Sequence, residues 1–419
     1  MASFLPRIAP SWTRRLGATS RLRDLLSTCQ STRLTSTRSW PPPTRPQPLE
    51  VRHGKLLTLS GAGYRAGYRN IHIPTVLLPP VLFMGLLLGL WIWKCIMMVV
   101  FQNKIIYMPS LPPTSRREQI SDWASMCGGV EWAEETTVAA DGTKLTMAVT
   151  TVPLPRGRRP AVGAPEKPPT EHAYVLYFQG NASSIPPRLP DLSWVLRAVS
   201  DSKAYDLAPM QLTFVCLSYR GYWTSRGRAS EPGLRLDAEA GVQWIAEKHE
   251  QVFGKDGTNR PILLLWGQSI GSGVATNLAA TGRISSRMPI SGLLLETPFV
   301  SIRAMLETLY PQKWLPYKYL WPFLRNHLDS SGNLGIIAQA YRDSGWTAPM
   351  VHILEAGRDE LVPKEQGEQL YKRCVELGIP VEKEAVPTAY HQQAIARGDG
   401  KKLAAHAILK LIKKARDNN

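Results

Sequence analysis

With 419 residues, 44% of them hydrophobic, the chain is long enough for one large domain of about 250–300 residues plus additional segments. Its net charge of +17 is unevenly placed: residues 1–117 hold thirteen Arg and three Lys against Asp24 and Glu50, a net +14, which leaves +3 for residues 118–419. The basic character therefore belongs to the leader and argues against a nucleic-acid-binding face. Five scattered cysteines without a CxxC pair argue against a disulfide framework, and His and Cys show no metal-ligand spacing.

Residues 1–70 carry eleven Arg, one Lys and two acids among many Ser and Thr. That is the composition of a mitochondrial transit peptide, and equally of a basic cytosolic tail. Residues 12–26 can form a basic amphipathic helix, and the Pro-rich stretch 40–46 reads as an extended linker. From Ile73 to Trp93 no charge occurs, and Lys94 is the only one before Lys104. Thr75–Trp93 would span roughly 28 Å as a helix, close to a bilayer core, so residues 73–101 are predicted to cross a membrane once. Pro79 and Pro80 lie near its start, where a helix tolerates them, and Trp91, Trp93 and Lys94 suit an interfacial exit. The basic flank precedes the span, which places the N-terminus in the cytosol or matrix and residues 102–419 across the membrane. The leader favours a mitochondrial membrane, with the endoplasmic reticulum as the alternative.

Beyond the span, Leu145–Val152, Ala173–Phe178, Leu212–Ser218, Ile262–Trp266, Leu293–Leu295, Met350–Glu355 and Val381–Val386 read as strands. Residues 153–171, rich in Pro, Arg and Gly, read as a disordered insertion. Helical patterns alternate with the strands; in Leu234–Lys248, Pro232 suits the first turn. Such alternation predicts an α/β architecture with a mostly parallel, doubly wound sheet, its chemistry beyond the carboxyl ends of the strands. Residues 300–349 are Leu-, Tyr- and Trp-rich, with Trp314 and Trp321 among them, and stand where a small helical lid is expected.

Gly267-Gln268-Ser269-Ile270-Gly271 follows the apolar strand Ile262–Trp266 and precedes a small-residue helical segment. A G-x-S-x-G turn between strand and helix is the nucleophile elbow of an α/β-hydrolase fold: Gly267 and Gly271 allow the sharp turn beside Gln268, and Ser269 projects from it. A serine needs a base and a group that orients the base, supplied in this fold in the order Ser, Asp or Glu, His. Asp359 lies in the loop after Met350–Glu355 and His391 in the loop after Val381–Val386. His352 falls inside a strand, His406 in a C-terminal helix, and the remaining histidines precede Asp359, which leaves His391 as the base. Glu360 and Asp329 stand as alternatives to Asp359. Two backbone N–H groups must face the developing oxyanion. One is assigned to Ile270 and the other to Asn181 in the turn that contains Gly180, with Ala182 as the alternative. No cofactor is implied: Gly267–Gly273 lacks dinucleotide-binding spacing and an acidic ribose partner.

Together with Phe178–Ala182, Tyr219-Arg220-Gly221-Tyr222, Ser230–Glu239, Glu296–Ser301 and Gly357–Pro363, these residues make the chain, from about Phe101 to His391, resemble the membrane-anchored α/β-hydrolase-domain serine hydrolases. That group comprises monoacylglycerol and lysophospholipid lipases and acyl-protein thioesterases. The resemblance implies triad roles for Ser269, Asp359 and His391. Two departures stand out. The family usually carries His-Gly-Asn where this chain has Gln179-Gly180-Asn181, which implies altered polar contacts behind that turn. Its histidine commonly follows glycines, whereas Ala389 and Tyr390 precede His391. A tether and an apolar lid imply a lipid or acylated substrate, an ester or thioester, with the bilayer as partner. Two other readings of the same residues are a catalytically silent membrane scaffold and a serine peptidase or amidase on this fold.

Overall fold

The computed structural model describes residues 74–154, 171–202, 209–254, 260–284 and 288–417. The basic leader, the amphipathic stretch 12–26, the Pro-rich 40–46 and most of the 153–171 insertion lie outside the described residues. Pro153 and Leu154 do not belong to that insertion, because they complete a strand.

A single 3-10 turn, Thr75–Leu77, leads into helix α1 (Leu78–Val100). Together they make one helix of 26 residues with mean hydropathy 2.1, long and apolar enough to cross a membrane. Pro79 and Pro80 fall in its first turn, where backbone N–H groups have no intrahelical partner. The helix continues seven residues past Trp93, and helix α2 (Gln102–Tyr107) carries the chain into the domain.

The domain is built on one sheet. In chain order its strands are β1 (Ala133–Val138), β2 (Lys144–Leu154), β3 (His172–Phe178), β4 (Met210–Ser218), β5 (Ile262–Gln268), β6 (Ile290–Glu296), β7 (Met350–Ala356) and β8 (Val381–Val386). Their spatial order among the described residues is β1-β2-β4-β3-β5-β6-β7-β8. The first two pairings are antiparallel and every pairing from β4 onward is parallel. β1 has no counterpart among the expected strands. Ala133-Glu-Glu-Thr-Thr-Val138 is an exposed edge strand, so it lacks the apolar run that marks its buried neighbours.

Helices cover both faces. Side chains of β3 to β7 alternate between two cores: Leu176, Phe178, Leu263, Leu265, Leu293 and Leu295 face α4 (Glu231–Phe253) and α5 (Ile270–Thr281). Val175, Tyr177, Leu264, Trp266 and Leu294 face α3 (Leu189–Asp201) and α9 (Gly398–Asp417). α4 starts at Ser230, whose hydroxyl accepts the Gly233 N–H, with Pro232 in the first turn as expected.

The Leu-, Tyr- and Trp-rich stretch 300–349 divides into two parts. α6 (Ile302–Leu309) and the 3-10 turn Tyr317–Phe323 form an outer piece. α7 (Ser330–Ser344) instead buries Leu334, Ile337 and Ala338 and packs between α5 and α8 (Lys364–Leu377). Its i, i+3, i+4 apolar spacing makes it part of the scaffold.

Candidate active site

β3 sits at the point where the chain reverses direction across the sheet, with β4 on one side and β5 on the other. The loops leaving β3 and β5 therefore emerge side by side at the carboxyl edge, where open α/β sheets bind ligands. Phe178 is paired with Gly267, and Gln268 with Glu296 of β6.

Ser269 occupies the turn between β5 and α5 with φ 53° and ψ −116°, a left-handed conformation costly for any residue but glycine. Its N–H donates to the Glu296 carbonyl at 2.8 Å, and the Ser272 hydroxyl donates to the Gly267 carbonyl at 2.7 Å. The flanking glycines are required by contact. A Cβ on Gly267 would stand 2.2 Å from the Gly271 carbonyl oxygen, and one on Gly271 would stand 2.1 Å from that of Phe178.

The three side chains singled out from the sequence come together here. His391 Nδ1 lies 2.7 Å from Asp359 Oδ2, and His391 Nε2 lies 2.9 Å from Ser269 Oγ. A carboxylate only accepts, so Nδ1 carries the proton and Nε2 is free to accept from the serine hydroxyl. Asp359 Oδ1 accepts the N–H groups of Leu361 at 2.9 Å and Val362 at 2.8 Å, which fixes the carboxylate plane. Glu360 does not face the imidazole ring: its Oε2 accepts the backbone N–H of His391 at 3.0 Å. Asp329 caps α7 through the Gly332 N–H. The acid loop and the base loop are also joined by backbone bonds from Gly357 to Val386 and from Arg358 to Ala389. Ala389 is thus part of that joint, a packing role for one of the residues that replace the family's glycines.

Ile270 is the first residue of α5, so its N–H has no intrahelical partner and lies next to the serine. In the turn after β3 the Ala182 N–H donates to the Tyr107 carbonyl at 3.0 Å and the Ser183 N–H to that of Leu111, so Ala182 is already engaged. Gln179, where the family carries histidine, donates from Nε2 to the Ala182 carbonyl at 3.4 Å, and its own carbonyl accepts the Tyr219 hydroxyl at 3.0 Å. Gly180 lies against the Gln268 side chain.

The sequence reading missed a buried polar group beneath the elbow. Glu296, fully buried at the end of β6, pairs with Arg188 and accepts the Trp266 indole N–H at 3.1 Å. Burial disfavours the Arg188 charge, but Glu296 and Tyr177 outweigh it and hold the guanidinium above its ordinary pKa. Burial likewise pushes the Tyr177 phenol up, so it is a neutral donor, and its hydroxyl donates to Gln268 Oε1 at 3.2 Å. The sequence signals for this group were a carboxylate directly after the apolar Leu293–Leu295 and its place at the head of the Glu296–Ser301 motif. Among the described residues no three His, Cys, Asp or Glu side chains cluster to hold a metal ion.

A strained serine-bearing turn between the fifth strand and its helix, on a sheet ordered 1-2-4-3-5-6-7-8, coincides with sequence similarity to known proteins. The chain has an α/β-hydrolase fold and is similar in sequence to α/β-hydrolase-domain proteins. It is 33% identical over 203 residues to the lysophosphatidylserine lipase ABHD12 of Danio rerio, which covers 48% of this chain and 47% of that protein. It is 32% identical over 148 residues to protein bem46 of Schizosaccharomyces pombe, covering 35% and 41% respectively. The chain thus spans about half the length of these curated relatives or less. No family model matches the chain. Among solved structures, an α/β hydrolase from Vibrio vulnificus superimposes with TM-score 0.49 at 18% identity, covering 75% of this chain and 92% of that one. The esterase Pf2001 of Pyrococcus furiosus does so with TM-score 0.44 at 16% identity, covering 71% and 93%.

Proposed function

We propose that this chain is a membrane-anchored serine hydrolase that cleaves a carboxylic ester or thioester of a lipid or acylated substrate. The observation that carries the reading is the Ser269 Oγ to His391 Nε2 approach of 2.9 Å at a strained elbow, with Asp359 behind the imidazole. Ser269 Oγ attacks the acyl carbonyl carbon while His391 Nε2 takes the hydroxyl proton. The carbonyl oxygen becomes an oxyanion facing the N–H groups of Ile270 and Asn181. As the carbon–oxygen or carbon–sulfur bond breaks, His391 returns its proton to the leaving alcohol or thiol. Water, deprotonated by the same imidazole, then releases the acid from the acyl-serine.

A lipid substrate is supported by where α1 ends. Arg325 Nη2 donates to the carbonyls of Val99 and Val100 at 3.1 Å each, Gln102 Nε2 donates to the Phe323 carbonyl at 3.1 Å, and Lys94 Nζ lies 4.7 Å from the Tyr317 ring centre. The outer piece 302–323 is therefore fastened to the end of the apolar helix, with Trp314 75% and Phe323 60% exposed. The lysophosphatidylserine lipase relative fits a lysophospholipid-type ester. The Arg- and Ser-rich residues 1–70 favour a mitochondrial membrane over the endoplasmic reticulum, which import into isolated mitochondria with and without them would decide.

The decisive experiment is labelling of the full chain in detergent micelles with a fluorophosphonate probe. The parent labels and Ser269→Ala does not, with an unchanged circular dichroism spectrum. Labelling that persists in Ser269→Ala refutes the assignment.

A further inference from the structure

Arg188 ends the 3-10 turn Pro186–Arg188, ahead of α3, and belongs to none of the motifs that carry the chemistry. It nevertheless contacts two side chains bonded to the Ser269 turn and the backbone beside His391. Nη2 pairs with Glu296, whose backbone carbonyl holds the Ser269 N–H at 2.8 Å. Nε donates at 3.2 Å to the Tyr177 hydroxyl, which in turn donates to Gln268, the residue before Ser269. Nη1 donates at 3.1 Å to the carbonyl of Gln392, the residue after His391. One planar cation thus joins the nucleophile turn to the turn that carries the base.

Stability alone is a weak explanation for such a group. A buried ion pair roughly breaks even against apolar residues of the same volume, because desolvation cancels its attraction. A rigid fork that reaches three acceptors in fixed directions is, by contrast, something only arginine supplies. We propose that Arg188 is a positioning residue that sets the distance between Ser269 Oγ and His391 Nε2, acting through Glu296, Tyr177 and the Gln392 carbonyl. The inference rests on the serine-hydrolase reading above. It concerns geometry only, and no proton passes through Arg188.

The test uses the full chain in micelles, with p-nitrophenyl butyrate for turnover and the fluorophosphonate probe for Ser269 reactivity. Arg188→Lys keeps the charge opposite Glu296 but cannot reach all three acceptors at once. It is expected to melt within a few degrees of the parent while kcat falls roughly 10- to 100-fold with KM unchanged, the scale of loss for an ångström-sized misplacement. The double variant Arg188→Met with Glu296→Gln removes the charges together and is expected to hold parent-like stability while kcat stays low. Recovery of kcat along with stability in the double variant, or parent kcat in Arg188→Lys, overturns the inference. A parent chain whose Ser269 does not label overturns the hydrolase reading, and the inference with it.

Discussion

Removing the Asp237 carboxylate isolates a second buried charge pair, one with no bond to Ser269, Asp359 or His391 among the described residues. Asp237 on α4 is fully buried. Its Oδ2 accepts the Arg220 backbone N–H at 2.8 Å, and its Oδ1 accepts Nε at 2.9 Å and Nη2 at 2.7 Å from the same arginine. Arg220 reaches outward through Nη1 to Asp141 at 2.7 Å. The neighbouring tyrosines carry the consequence inward: Tyr219 holds the Gln179 carbonyl, and Tyr222 holds the Tyr107 carbonyl that also takes the Ala182 N–H. Asp237→Ala leaves a largely buried guanidinium facing only the half-exposed Asp141, and breaking a buried pair on one side costs about 3–5 kcal/mol. At roughly 2 °C per kcal/mol for a domain of this size, the melting midpoint should fall by about 6–10 °C. Thermal unfolding of the full chain in micelles, followed by near-ultraviolet circular dichroism, measures it. Arg220→Met with Asp237→Leu removes both charges and should recover most of the loss. A single Asp237→Ala that costs less than about 1 kcal/mol would refute the view that the pair is closed to water.

Gly271→Ala puts a methyl group 2.1 Å from the Phe178 carbonyl oxygen, which is backbone and cannot swing aside, so the Ser269 turn and the turn after β3 must part. Probe labelling should slow by about 100-fold, whereas Gly398→Ala, which meets nothing within 4 Å, should label at the parent rate. His172 in β3 stacks on Tyr174 at 4.4 Å and lies 2.7 Å from Thr213 Oγ1; burial, aided by His249, lowers its pKa to about 4 from the ordinary 6.5. Between those values the unfolded chain takes up a proton that the folded chain refuses. Stability is therefore whole above pH 6.5 and falls toward pH 4, by up to about 3 kcal/mol. In urea titrations at pH 4.5 and 7, His172→Gln should flatten that dependence, and an equal slope in variant and parent sinks the assignment. Trp314→Ala with Phe323→Ala should lower turnover of a long-chain ester in vesicles by about tenfold or more, since each ring withholds roughly 1.5–3 kcal/mol of apolar burial. Turnover of a water-soluble short-chain ester should not change; an equal loss on both substrates argues against contact between this piece and the bilayer.

The contrast between what could be read along the chain and what could not follows from the range of the forces involved. The elbow was legible because the turn writes glycines on both sides of Ser269: Gly267 for a local contact with Gly271, and Gly271 for the close approach of the Phe178 carbonyl from the neighbouring strand. Asp359 was legible because it follows a buried parallel strand, whose near-continuous apolar run marks where the carboxyl edge lies; β8 is only partly buried and carries no such run, so His391 was legible through chain order instead. β1 was not, since an exposed edge strand has no core to write a pattern into it. α7 was read as lid because aromatic and aliphatic residues look alike in composition whether they cover a site or fill a core. Only packing against α5 and α8 separates the two.

Arg188 and Glu296 were the hardest to foresee, standing 108 positions apart. Their meeting depends on the switch that sets β3 beside β5 and β6 beyond it, because only then does the turn after one strand reach the end of another two places along the sheet. A local pattern therefore announces which atoms can react, while the distance between them is set by topology and by the few polar side chains that topology buries. If Arg188 acts as inferred, variants of the motif residues should abolish chemistry outright. Variants of the buried bridge should instead scale it down with affinity intact, and that split in kcat against KM distinguishes a group that reacts from one that holds.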